Sequence, residues 1–502
     1  MSVVSVGAAG DYVWVQSLST VPEYGSITFG NAMDISSDGN HLVVAQIQGV
    51  QTGQGVLHVY KRSGNQWLYE VSLLAPATKE PEGLGRSVAI SDDGRTIAAG
   101  AWMHNKRRGA VYVFVKEGNT WREQVRVAEG FAPDTLLGNA LDLSADGNTL
   151  AIGETRYPNL RTGGGAIHIY TRSGDTWTKQ AQLIGTGIVA GDQFGHCISI
   201  SADGNTILAG VYRANSVGAA YIFTRKGTTW TETAILQPEI LQPGDGFGIH
   251  AAALSKDGRV ALVGAILHDA FNSKALLNAG AAFVFTNTDD EWSLAQRLVP
   301  ADPVFAQHFG TTVAISETGD IAAVRGRESS KGYIFKREGD TWHEIFAQSQ
   351  SELRSELTSV AMDANGDVVV MSAPDAGLAE PVAIFVLSDN IDLPPAITST
   401  TPANNALFIP SDTPITINFS EPVNFSADSF AVLCGGAPVS FTVNESPAMS
   451  AVLTPSQNWP ANTNCIIRIG AANISDADTN DPPDNMIATY IFSFITAPPL
   501  PK

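Results

Sequence analysis

The chain has 502 residues, 44% of them hydrophobic, with 47 Gly, which is enough for a large core and more than one domain. Lys and Arg number 30 against 50 Asp and Glu, and a net charge of −20 argues against nucleic acid and anionic membrane surfaces as partners. No apolar run approaches the roughly 20 residues of a membrane span, so membrane insertion is not expected either.

The start, "MSVVSVGAAGDYVWV", has neither a basic n-region nor a long apolar h-region. Either a signal segment has been removed or replaced, or the protein does not use that export route. "DYVWVQSLST", with Trp14, then reads as a lone strand resembling the later "NQWLYEVSLLAP" around Trp67. Beyond that strand the chain repeats itself, and a repeat takes priority over any local assignment. A strand–turn–strand signal recurs at Gly39, Gly94, Gly147, Gly204, Gly258, Gly319 and Gly366, spaced 47 to 61 apart. Five copies read Ser-x-Asp-Gly, and the last two drift to "SETG" and "DANG". The Asp or Asn fixes the turn through its own backbone, and the Gly supplies the positive φ next to it.

An aromatic or Leu followed by Gly opens each of six copies, at Phe29, Leu84, Leu137, Phe194, Phe247 and Phe309. A variable loop comes after the second strand, and then a third strand such as "GAVYVFVK" and a fourth bearing Trp67, Trp121, Trp177, Trp230, Trp292 or Trp342. Each repeat is thus a four-stranded antiparallel meander that must pack on its neighbours. Seven hairpins have only six downstream Trp strands, and the seventh copy stops at Ser388 after "PVAIFVLS". The N-terminal strand supplies the missing piece. The expected fold is therefore all-β, a seven-bladed β-propeller over 1–388 closed by that strand.

The aromatic-Gly openings, the hairpins and the "AGA" and "VGA" strand endings resemble FG-GAP repeats over about residues 11–388. Such repeats build the propeller of integrin α-subunits and of many bacterial surface proteins. The resemblance implies an extracellular or cell-surface binding role. Calcium-binding members carry a run of Asp closed by a further acid. Here the best copies are Asp34, Ser36, Asp38 and Asp142, Ser144, Asp146, and the closing position is Leu42 or Leu150, so plain hairpin chemistry is expected.

"DNIDLPPAITSTTPANNA" breaks the period and marks a linker at 389–396. Residues 397–496 read as the short strands of an all-β sandwich, with a Pro-rich tail at 497–502. "ITINFSEPVN", "LCGGAPV" and "DADTNDPPDNM" resemble bacterial Ig-like domains, here of the surface-layer type. That resemblance implies a disulfide between Cys434 and Cys465. Cys197, in an apolar repeat strand, is read as buried and inert. "SDADTNDPPDN" is read either as a calcium loop using Asp476, Asp478, Asn480 and Asp484 or as a solvated turn.

No catalytic template fits, so the chain is read as non-enzymatic and in need of no cofactor, calcium being the one ion the acidic loop suggests. His58 and His168 share a repeat position with Tyr112, Tyr221, Phe283 and Tyr333, which indicates packing rather than ligation. In such propellers the connections from second to third strand, and from fourth to the next first, share one face, the expected site of a glycan or protein ligand. Its candidate residues are Trp102, His104, Arg107, Arg108, Arg156, Tyr157, Arg161, Tyr212, Arg213, His268, Asp269 and Phe271, because Arg and aromatics favour recognition patches. Two classes result: a secreted or surface adhesion module with the Ig-like domain as spacer, or a self-associating subunit of a filament, sheath or phage-like particle. A propeller hydrolase is the remaining alternative.

Overall fold

The computed structural model describes residues 12–19, 28–47, 53–76, 82–156, 163–212, 217–269, 277–327, 331–349, 359–372, 381–387, 395–477, 485–486 and 489–499. The chain divides into two compact units, 1–390 and 391–502.

Among the described residues, the first unit holds seven antiparallel sheets of four strands each. Blade 1 is Phe29–Ile35, His41–Gln46, Val56–Ser63 and Gln66–Leu73, and the next five repeat that order. Blade 2 begins at Leu84, blade 3 at Leu137, blade 5 at Phe247 and blade 6 at Phe309. In blade 4 the innermost strand is the short Ile198–Ile200. Blade 7 is Ser359–Met362, Val368–Ser372 and Val382–Leu387, completed from the other end of the chain by Tyr12–Leu18. The register sets Trp14 against Phe385 and Leu18 against Val382, so the sheet edge that Val382–Leu387 would expose is paired.

The second and third strands read as continuous apolar runs because both their faces are covered. Ile207 and Ala209 of blade 4 pack toward blade 3 in one cluster, whereas Leu208, Ala220 and Ile222 pack toward blade 5 in another. The fourth strands form the rim and alternate. Their Trp residues are not equally buried: Trp67 is 1% exposed and Trp342 3%, while Trp121, Trp177, Trp230 and Trp292 are half-buried. A third-strand cation covers several of the rings, with Arg62 4.9 Å from the centre of Trp67 and Arg225 5.3 Å from that of Trp230.

The hairpins show why Ser precedes Asp-Gly. Ser36 Oγ donates to Asp38 Oδ1 at 2.5 Å and accepts the His41 N–H at 2.9 Å, and Asp38 Oδ1 accepts the Asn40 N–H at 2.9 Å. In the drifted "DANG" copy Asp363 takes over from Ser, its Oδ1 accepting the Val368 N–H at 3.1 Å.

The residue after that Ser joins neighbouring blades. The N–H of Asp92 donates to Ala145 O, Ala145 to Ala202, Ala202 to Lys256, Lys256 to Glu317, Glu317 to Ala364 and Ala364 to Ser37, at 2.7–3.1 Å. This girdle rings the hairpin end of the central channel, and the Lys256 ammonium pairs with Asp92 across it. Above it, one apolar side chain per blade forms a waist: Met33, Val88, Leu141, Ile198, Ala252, Val313 and Val360.

Among the described residues, the second unit is a sandwich of two five-stranded sheets. Phe430–Cys434 and Asn464–Ile469 alternate buried and exposed residues, and Ile417, Phe419, Val432, Ile467, Phe492 and Phe494 fill the core. Cys434 and Cys465 are disulfide-bonded within that core. Cys197 is buried in the propeller, its Sγ donating to Gly248 O at 3.2 Å, and burial pushes its pKa up to about 12.

Candidate functional site

The Gly that opens a third strand bridges to the aromatic-Gly opening of the next blade, as Gly109 does to Leu137 and Gly218 to Phe247. The second-to-third and fourth-to-first connections therefore meet on one face, opposite the hairpins. That loop face carries the described candidate residues, but in separate places.

On blade 2, His104 is turned inward. Its Nδ1 lies 2.7 Å from Glu82 Oε2, and Arg126 Nη1 lies 3.0 Å from Nε2. The ring thereby ties its loop to the connection from blade 1. Arg107 lies over the Trp102 ring at 5.3 Å and faces Asp134 at 3.7 Å, while Arg108 faces Glu129 at 3.9 Å. Both arginines of this loop thus face nearby carboxylates. Exposed pairs of this kind contribute about 0–1 kcal/mol each. Arg156 is exposed on blade 3, and Tyr157 and Arg161 lie outside the described residues. Tyr212 of blade 4 leans toward the channel, its ring 5.7 Å from His196, and Arg213 lies outside the described residues.

Blade 5 repeats the blade 2 device. His268 is buried with Nδ1 2.7 Å from Asp245 Oδ2, and Arg297 Nη1 lies 3.4 Å from Nε2. Here the cluster borders open space. A cavity of about 580 Å³ is lined by Gln242, Asp245, His268, Asp269, Asn278 and Arg297. Asp269 Oδ1 accepts the Asn278 N–H at 2.8 Å, and Phe271 lies outside the described residues. A second cavity of about 480 Å³ adjoins it, lined by Ile235, Pro238, Ile240, Phe285, Trp292 and Leu294. Arg297 and Ile240 border both, so the two form one cleft between blades 4 and 5, polar at one end and apolar at the other. Both His268 nitrogens have partners, so the ring serves to orient its neighbours.

Of the loop-face candidates among the described residues, His268 and Asp269 line this cleft. Arg297, Asn278 and Asp245 went unrecognised in the sequence. Asp245 stands two residues before the aromatic-Gly opening, as Glu82 does in blade 2, and that recurrence is the signal for the clusters.

His58 and His168 do sit in the core, but hydrogen-bonded: His58 to Gln46 and Ser72, His168 Nε2 to Glu154 Oε2 at 2.8 Å. Asp34 and Asp142 are committed to backbone. Asp34 accepts the Ile90 N–H of blade 2 at 2.7 Å, and Asp142 the Ile200 N–H of blade 4 at 2.9 Å. Burial first, and for Asp34 also the nearby Asp142, raises these carboxyls to about 7 and about 6. In the sandwich, Asp476 is buried in the short strand Ser475–Asp476, while Asp478, Asn480 and Asp484 lie outside the described residues.

Residues 392–496 match the bacterial Ig-like domain family, and residues 177–223 match the FG-GAP repeat. No curated protein matches the chain. The β-propeller domain of Cps50 (Swd1) from Myceliophteria thermophila is similar with a TM-score of 0.51 and 12% identity, over 75% of this chain and 99% of that one. The hydrazine synthase of Kuenenia stuttgartiensis is similar at 0.51 and 12%, over 74% and 98%. Identities this low speak to the fold alone. Fold and family matches together describe the chain as a β-propeller with an FG-GAP repeat, followed by a bacterial Ig-like domain.

Proposed function

We propose that the chain is a non-enzymatic binding or adhesion protein of the cell surface or extracellular space. Its glycan or protein ligand seats in the cleft between blades 4 and 5, and the Ig-like domain is a spacer. The observation that carries this reading is the cleft itself. It places exposed Ile235, Ile240 and Leu294 beside a polar cluster held in position by the His268–Asp245 pair. Ligand sites combine apolar area with a few fixed polar groups in this way, and the two volumes fall within the usual pocket range. The disulfide supports an oxidising compartment.

The test is a glycan and protein binding screen on the full chain. The variants Leu294→Asp and Arg297→Ala should abolish any specific binding, and a Gly/Ser replacement of 102–108 should leave it in place. Binding that survives both cleft substitutions would remove this site.

A structural subunit remains the second reading, for one reason. The outer face of one sandwich sheet exposes Leu433, Ile466, Ile491 and Ile495. Light scattering that shows a concentration-dependent polymer, lost on Ile466→Lys, would favour it.

A further inference from the structure

Above the apolar waist the channel widens into a cup of about 400 Å³ that opens on the loop face. Its rim is built from one repeat position, the residue directly after each Phe-Gly or Leu-Gly opening. That position holds Asn31, Arg86, Asn139, His196 and Thr311 in five blades, and in blade 5 an extra residue, Ile249, places His250 there. Arg327, at the end of a blade 6 strand, joins them.

In a chain of net charge −20, the described residues lining this cup include two arginines and two histidines and neither Asp nor Glu. Arg86 is braced by Asn139, its Nε donating to Oδ1 at 3.1 Å. The His196 and His250 rings meet edge to face with centres 5.4 Å apart. Asn31 Oδ1 and His196 Nδ1 are buried without a hydrogen-bond partner among the described residues. Buried polar atoms are ordinarily satisfied, so two such atoms on the rim of one cup indicate a species that completes them. At the far end the cup meets the apolar waist, which supplies Val88, Leu141, Ile198, Ala252, Val313 and Val360 to its floor.

We propose that this cup binds a small hydroxylated carboxylic acid of sugar-acid size. The carboxylate would be received by Arg86 and Arg327, since guanidinium groups pair with carboxylates in a two-pronged geometry. The hydroxyls would be received by Asn31, Asn139 and the two imidazoles. About 400 Å³ accommodates a monosaccharide acid and excludes a polymer running through the channel. The site is separate from the cleft between blades 4 and 5, and neither depends on the other.

The experiment is isothermal titration of the full chain with glucuronate, with glucose and inorganic phosphate as comparators. Glucuronate should bind saturably, glucose should not, and phosphate should bind more weakly than glucuronate. Arg86→Gln and Arg327→Gln should each weaken glucuronate by about tenfold or more, while Arg122→Gln on the outer rim strand of blade 2 should leave it unchanged. Absence of glucuronate binding by the wild-type chain up to about 10 mM, equal binding of glucose, or phosphate binding alone would each overturn the proposal. The wild-type titration decides even where a variant fails to fold, and circular dichroism identifies such a variant.

Discussion

Asp34 and Asp142 illustrate how one residue type acquires a structural role by position. Each carboxylate spans two blades, accepting its own strand's next N–H and one from the following blade. Burial raises both pKa values, so the folded chain holds these protons more tightly than the unfolded chain, where Asp titrates near about 4. The stabilisation from the neutral acids is complete below that value and is lost as pH rises through about 6 for Asp142 and about 7 for Asp34. Melting temperatures of wild type and the double variant Asp34→Asn/Asp142→Asn should therefore diverge with pH. Wild type should lose more stability between about pH 5 and about pH 8, and parallel curves would refute the assignment. The sequence placed these two Asp in plain hairpin chemistry, and only the three-dimensional repeat shows that their partners include backbone N–H groups of the next blade.

At the scale of elements, strands were legible and loops were not. Alternation and turn chemistry mark the hairpins, and the continuous apolar runs of second and third strands result from packing on both faces. The same packing explains a sequence detail that alternation alone does not. A Cβ on Gly100 would lie 2.0 Å from the carbonyl of Gly138 in the next blade's opening, so the "AGA" ending and the aromatic-Gly opening fit each other. Blade 7 lacks that opening, and its neighbour carries Arg325 at the matching position, 1% exposed and donating to Ser372 O. The loop-face residues were chosen by composition, which cannot show that His104 and His268 turn inward to carboxylates placed about twenty residues earlier. In the sandwich, the Cys434–Cys465 bridge closes a loop of 31 residues and should contribute about 3–4 kcal/mol. Calorimetry with and without reductant should show the sandwich's transition move to lower temperature and the propeller's stay in place. Equal shifts of both, or of neither, would contradict that account.

At the scale of the molecule, closure organises everything else. Seven hairpins and six downstream Trp strands pointed to a ring, and the pairing of Tyr12–Leu18 with Val382–Leu387 completes it. The ring defines the loop face, places the cleft on it and gives the channel its cup. The girdle was invisible in the sequence, since its donors are the variable residues of the turns, Asp92, Ala145, Ala202, Lys256, Glu317 and Ala364, joined only through their backbones. These N–H groups lie in hairpin turns, where exchange with solvent is ordinarily fast, and the run of six bonds through all seven blades is what gives each one a partner. Hydrogen exchange on the native chain therefore tests the account most directly. The prediction is slow exchange at the N–H groups of Ala145, Ala202, Lys256, Glu317 and Ala364, and along Val382–Leu387 at rates matching the third strands of the other blades. Turn amides that exchange as fast as exposed loops, together with an unprotected outer edge on Val382–Leu387, would contradict a closed wheel.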